Sequence, residues 1–168
     1  MSETNEGTIL MGQEFIVRIL SVCVCVVAMA LIGCYPKSTQ KQYDKRVRML
    51  VSMIDDHPSQ THFDVTPATI ELKKIGPTAI PSVLPLILSD DYFTRLRAIN
   101  VLYGISAEMF GFVPGVGWPD SFVEEQHREF WRMLGSVSRD SSREECHASF
   151  DLWQKWLSSG GLQKFTKK

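Results

Sequence analysis

A length of 168 residues, 44% of them apolar, and a formal net charge of −1 fit one domain with a modest core. The balanced charge has no basic stripe and no block of like sign, which argues against a nucleic-acid partner and against an acidic or basic interaction tail.

The first predicted element is the run Ile19–Ile32, which holds no charged residue, no Gly and no Pro. It suits a signal-peptide h-region and falls short of the about 20 residues that a bilayer span needs. Residues 1–18 hold a single basic residue, Arg18, against Glu3, Glu6 and Glu14. A signal n-region is normally positive, so a start at Met11, which removes two of those acids, is expected. On the residues alone the run reads as a cleaved signal peptide, an uncleaved anchor or a buried core helix.

The run ends in Leu31-Ile32-Gly33-Cys34, which resembles a bacterial lipobox. That resemblance implies a lipoprotein whose signal peptide, residues 1–33, is cut between Gly33 and Cys34. The Cys34 thiol would take a diacylglyceryl group through a thioether, and its new amino group would take a further acyl chain such as palmitate. One acyl chain anchors only marginally, at roughly 0.8 kcal/mol per buried CH₂, whereas two or three hold a protein on a bilayer. The protein would then sit in the cell envelope, lipid-anchored and facing the periplasm or the exterior. Tyr35, where Asp would signal retention, is similar to the outer-membrane sorting pattern. Cys23 and Cys25 would leave with the signal, so Cys146 would be the remaining free thiol and no internal disulfide could form.

Residues 34–42 are polar and predict a tether, 43–160 a helical domain and 161–168 a basic tail expected to fray. Val47, Leu50, Val51 and Ile54 recur at helical spacing and predict a first helix over Tyr43–Asp56, ended by His57-Pro58. Thr66-Pro67 predicts an N-cap and N1 proline, with Ala68, Leu72 and Ile75 inward and Gly76-Pro77 as the stop. A third helix is expected over Thr78–Leu88, burying Ala79, Ile80, Val83, Leu84 and Ile87, with a kink at Pro85. The turn Ser89-Asp90-Asp91 leads into a fourth over Tyr92–Ser106, with Phe93, Leu96, Ile99, Leu102 and Tyr103 as its stripe.

Residues 75–105 are similar to a HEAT-like repeat in Gly76, Ala79, Pro81, Ile87-Leu88, Asp90, Arg95, Ala98 and Leu102. The resemblance implies an all-α stack of antiparallel helical hairpins, with Asp90 capping the second helix and Arg95 reaching turn carboxylates or a neighbouring repeat. Thr94 departs from that pattern, where an apolar residue is usual. Such repeats need neighbours to bury both faces, and their concave face is the usual binding surface.

The segment Gly111–Asp120 cannot be helical, and its Phe112 and Trp118 form either a partner-binding edge or a loop folded back on the core. A fifth helix follows to about Leu134, burying Phe122, Phe130, Trp131 and Leu134. Ser141 or Ser142 caps a sixth, which runs to about Leu157 with Cys146, Phe150, Trp153 and Leu157 on one face; Ser141 with Glu144 has capping-box spacing. The Trp153–Trp156 end, followed by Gly160-Gly161, resembles the Trp-rich end of some HEAT-like exported proteins, where aromatics plug the open end of the stack.

No catalytic or metal constellation emerges. His57, His62, His127 and His147 are scattered, Glu124 and His127 form a lone i, i+3 pair, and Cys146-His147 project to different helix faces. The expectation is a non-enzymatic, cofactor-free and metal-free module that presents a helical surface to an unknown protein partner, with a structural tether or spacer in the envelope, and then an unrecognised enzyme, as the alternatives.

Overall fold

The computed structural model describes residues 37–165. The segment expected to be a signal peptide, the lipobox-like Leu31–Cys34 and the last three residues lie outside the described residues. Helices dominate: α1 (Lys37–Ser52), α2 (Pro67–Ile75), α3 (Ile80–Val83), α4 (Tyr92–Met109), α5 (Ser121–Met133) and α6 (Arg143–Ser158). Short 3-10 turns at Gly76–Ala79, Leu84–Leu88 and Leu162–Lys164 complete the set, and no strand occurs among the described residues.

Helix α1 starts at Lys37, inside the stretch expected to be tether. Its buried stripe is Val47, Leu50 and Ile54. Regular helix stops at Ser52, but i→i+3 bonds from Met53, Ile54 and Asp56 carry the coil on to where the proline was expected to end it. Thr66 then joins two elements. Its hydroxyl accepts from the Thr69 amide at 3.1 Å and donates to the Ile54 carbonyl at 3.0 Å, closing the end of one helix and the start of the next.

Residues 76–88 bury Ala79, Ile80, Val83, Leu84 and Ile87 completely, as their spacing predicts. The segment is not a kinked α-helix. Pro77, Pro81 and Pro85 remove an amide every fourth residue, so the i→i−4 ladder survives for a single turn, α3, between 3-10 turns. The Ile80 amide turns to the Pro77 carbonyl instead.

Helix α4 is the central element, packed against α2, the 76–88 segment and α5. Ala98, Val101, Leu102 and Ile105 form its core face. Two members of the expected stripe point elsewhere: Phe93 and Tyr103 are each more than 40% exposed. The cap is Asp91, which accepts from the Thr94 amide at 2.7 Å, not Asp90, whose carboxylate pairs with Arg143 at 2.7 Å. Arg95 reaches the turn through its carbonyls, donating to Ser89 and Asp90, rather than through carboxylates.

The side chain that ties α4 to the chain before it is Arg97, buried at 5% exposure. Its Nη1 pairs with Asp55, its Nε donates to the Phe63 carbonyl at 3.0 Å, and its guanidinium lies 5.4 Å from the Phe93 ring centroid. Thr94 adds a hydroxyl 2.6 Å from the same Asp55 carboxylate. This contact accounts for a polar residue where the HEAT-like pattern has an apolar one.

Helix α5 buries Phe130 and Leu134 but leaves Phe122, expected inside, 70% exposed. In its place His127 is fully buried. Gly135 has φ 96°, and a Cβ there would lie 2.9 Å from Ser149 Cβ, so this glycine lets the end of α5 meet α6. Ser149 seals the joint by donating to the Leu134 carbonyl at 2.6 Å. The α6 capping box is Ser142 with Glu145, one residue later than the Ser141–Glu144 pair. Trp153 is fully buried among Phe130, Trp131 and Trp156. The tail stays packed as far as Phe165, whose ring meets Phe110 at 5.3 Å and Trp156 at 6.3 Å, so it does not fray there.

Two outcomes are expected in urea denaturation. Arg97→Met leaves the Phe63 carbonyl without its donor and Asp55 with Thr94 alone, and costs about 1–3 kcal/mol, while Arg139→Met, which removes an exposed pair, stays within about 0.5 kcal/mol. Gly135→Ala combines a left-handed backbone with a steric clash and costs about 2–3 kcal/mol. Gly115→Ala, with open space around its Cβ, costs about 1 kcal/mol.

Candidate interaction surface

The residues expected to carry lipidation and cleavage, Leu31, Ile32, Gly33 and Cys34, lie outside the described residues. Among the described residues, an open groove of about 330 Å³ lies beside α4. Leu96, Asn100 and Tyr103 come from α4, Trp131 from α5, Asp64 from the preceding loop, and Ser138 and Arg139 from the α5–α6 connection. Tyr103 and Trp131 meet edge to face at 5.2 Å and form an aromatic wall. Asn100 Nδ2 donates to Asp64 at 2.6 Å, which fixes that carboxylate, while Asn100 Oδ1 is buried without a partner. Lys73 lies on the same side of α4. Its stem runs over Gly104, where an added Cβ would touch Lys73 Cε at 2.8 Å. Burial pushes the Lys73 ammonium down, and Asp64 and Glu108 partly offset it.

Phe93, Leu96, Asn100 and Tyr103 recur at helical spacing, so the groove wall continues along one face of α4. Phe63 stands 6.1 Å from Phe93, and Tyr92 stands 5.3 Å from it. All three rings are exposed. They extend the groove into an aromatic surface held in place by Arg97 from below.

Phe112 and Trp118, read from the sequence as either a binding edge or a loop folded back on the core, are half-buried. Phe112 and Trp118 pack on each other at 5.1 Å, and Trp118 covers His127 at 5.0 Å. Paired backbone bonds between Val113 and Gly117 close the loop, leaving Val113 and Val116 exposed at its tip.

His127 occupies an aromatic box of Tyr103, Phe110, Trp118 and Trp131. Its Nε2 lies 2.9 Å from Ser106 Oγ. With the Ser106 hydroxyl donating to the Tyr103 carbonyl at 2.9 Å, the arrangement matches an imidazole that carries its proton on Nε2 and donates to serine. Nδ1 is then a bare acceptor, buried without a partner. A serine nucleophile needs the opposite arrangement, an unprotonated Nε2 and an exposed hydroxyl; Ser106 is fully buried. Glu124, the other half of the i, i+3 pair, is engaged with Arg128 at 2.6 Å. No group of three His, Cys, Asp or Glu side chains among the described residues is placed to hold a metal ion. Cys146 is a buried core thiol, pushed up by burial and partly offset by Arg95.

Comparison with known protein families, curated proteins and solved structures returns no match. The groove was missed in the sequence because its rings fall within apolar periodicity, and periodicity alone assigns such rings to the core. The signal that could have found it is Asn100, a polar residue between Leu96 and Tyr103 on the same face.

Burial holds His127 neutral and lowers its pKa. The unfolded chain therefore takes up this proton first, near pH 6.5. Stability is full above that value and falls as pH drops below it. Denaturation midpoints measured from pH 7.5 to 5.0 are expected to decline, with a shallower decline in His127→Phe.

Proposed function

We propose that this chain is a bacterial lipoprotein, acylated at Cys34, whose HEAT-like helical domain is a non-catalytic protein–protein interaction module of the cell envelope. The observation that carries the docking role is the groove between α4 and α5, where Tyr103, Trp131 and Arg139 border a fixed carboxylate. Aromatic and arginine side chains around a concavity are the composition of interface hot spots. Support for the HEAT-like reading comes from the turn-bounded pair formed by residues 76–88 and α4, in which Ala79 and Ala98 are both fully buried. The lipobox and the run before it support the anchor. A tethering or spacing role without a dedicated ligand is the second reading.

The anchor is tested by the intact mass of the detergent-extracted protein beside a Cys34→Ser variant. The expected mass is that of residues 34–168 plus a diacylglyceryl or triacyl group, lost in the variant; an unmodified full-length mass in both sinks the anchor. The groove is tested by a photo-crosslinking amino acid at Tyr103 in cells. A discrete adduct, absent when the crosslinker sits at Leu152 on α6 and reduced about tenfold by Arg139→Glu, is expected. Equal labelling at both positions favours the spacer.

A further inference from the structure

From Tyr43 onward, the face of α1 opposite the core carries Lys45, Arg48, Met49 and Ser52, all exposed, with Met53 exposed just past its end. Val47, Leu50 and Ile54 point the other way, into the core. Most cations on the rest of the described surface are matched by carboxylates. Arg46 pairs with Glu71, Lys74 with Glu71, Arg128 with Glu124 and Glu125, Arg139 with Asp140, and Arg143 with Asp90. Lys45 and Arg48 have no ion pair within the described residues. A helix whose outward face sets two unmatched cations beside a flexible thioether is suited to an anionic interface: the ammonium and guanidinium groups meet phosphates, and the Met49 thioether enters between headgroups.

Chain geometry says which interface is in reach. Only Tyr35 and Pro36 separate Cys34 from the first residue of α1. Three residue steps span at most about 11 Å, close to the about 8–10 Å over which surface charge acts at moderate salt. A lipid on Cys34 would therefore hold the first turn of α1 within reach of the headgroups, and Lys45 and Arg48, about 12 and 17 Å further along the helix axis, meet them when the helix lies along the surface.

We propose that α1 is a membrane-contacting helix, whose Lys45–Arg48–Met49 face rests on anionic phospholipid headgroups and fixes how the domain stands on the bilayer. This rests on the lipoprotein reading above and adds a second, electrostatic attachment to the covalent one. Each Lys or Arg near an anionic surface is worth about fivefold in local association, so Lys45 and Arg48 together contribute about twenty-five-fold.

The test uses the full lipidated chain, purified and reconstituted in phosphatidylcholine vesicles with and without phosphatidylglycerol. A fluorescent amino acid is placed at Met49, or at Val116 as a reference on the loop tip, and quenched by lipid carrying a nitroxide on its headgroup. Expected is strong quenching at Met49 in the anionic vesicles, lost in Lys45→Gln/Arg48→Gln and in about 0.5 M salt, with little quenching at Val116. Both charges are exposed, so the variant is expected to keep its circular dichroism spectrum. Quenching that is equal at the two sites, or indifferent to phosphatidylglycerol and to the charge variant, overturns the proposal. The intact mass of the same sample separates the two failures. An acylated mass without selective quenching overturns the headgroup contact alone, whereas an unmodified mass overturns the anchor and this inference with it.

Discussion

A buried guanidinium organises the first half of this domain. Burying a positive charge is unfavourable unless each donor finds an acceptor, so Arg97 dictates where its partners must stand. Asp55 at the end of the first helical coil, the Phe63 carbonyl in the following loop and the Phe93 ring on its own helix all converge on it. Thr94 and the Thr66 joint hold the two ends of that loop. The loop is thereby fixed, and Phe63 and Asp64 are delivered to the side of α4 where the groove opens. The polar interior and the aromatic exterior of this region are two faces of one arrangement.

The second half is held by shape rather than charge. Gly135 and Ser149 bring α5 and α6 to backbone distance, and the space beyond is filled by Phe130, Trp153, Trp156 and Phe165. Gly161 belongs to the same packing, because a Cβ there would lie 2.2 Å from the Trp156 ring. His127 bridges the halves. It hydrogen-bonds Ser106 on α4 and takes aromatic cover from the 111–118 loop and α5. The apolar loop is consequently a lid over a buried imidazole, which explains why Trp118 is not free to face solvent.

Much of the helical layout is written in local chemistry. Thr66-Pro67, Gly76, the run from Ala79 to Ile87 and the Trp153 face all stand where spacing and capping place them. The departures share a cause. Phe93, Tyr103 and Phe122 satisfy apolar periodicity yet stay exposed, while Arg97, His127 and Ser149 break it and lie inside. Periodicity ranks residues by hydrophobicity, whereas burial here is decided by which polar groups find partners across the chain. Asp55 and Arg97 are 42 residues apart, a distance over which no local pattern operates. The groove was illegible for the same reason, since Asp64, Asn100, Trp131 and Arg139 meet only after the helices pack. Asp91 rather than Asp90 caps α4, and of Ser141 and Ser142 it is Ser142 that caps α6, because adjacent residues of the same type compete for one amide and the helix register decides between them.

The prolines of residues 76–88 have a consequence for the denatured ensemble. Pro77, Pro81 and Pro85 have their φ angles set by covalent rings before the chain collapses, and each restricts the residue in front of it as well. The segment that buries Ile80, Leu84 and Ile87 therefore loses less configurational freedom on ordering than an alanine-rich helix of equal length would. Part of the stability of this domain thus lies in states it does not visit when unfolded, and no inventory of native contacts would register it.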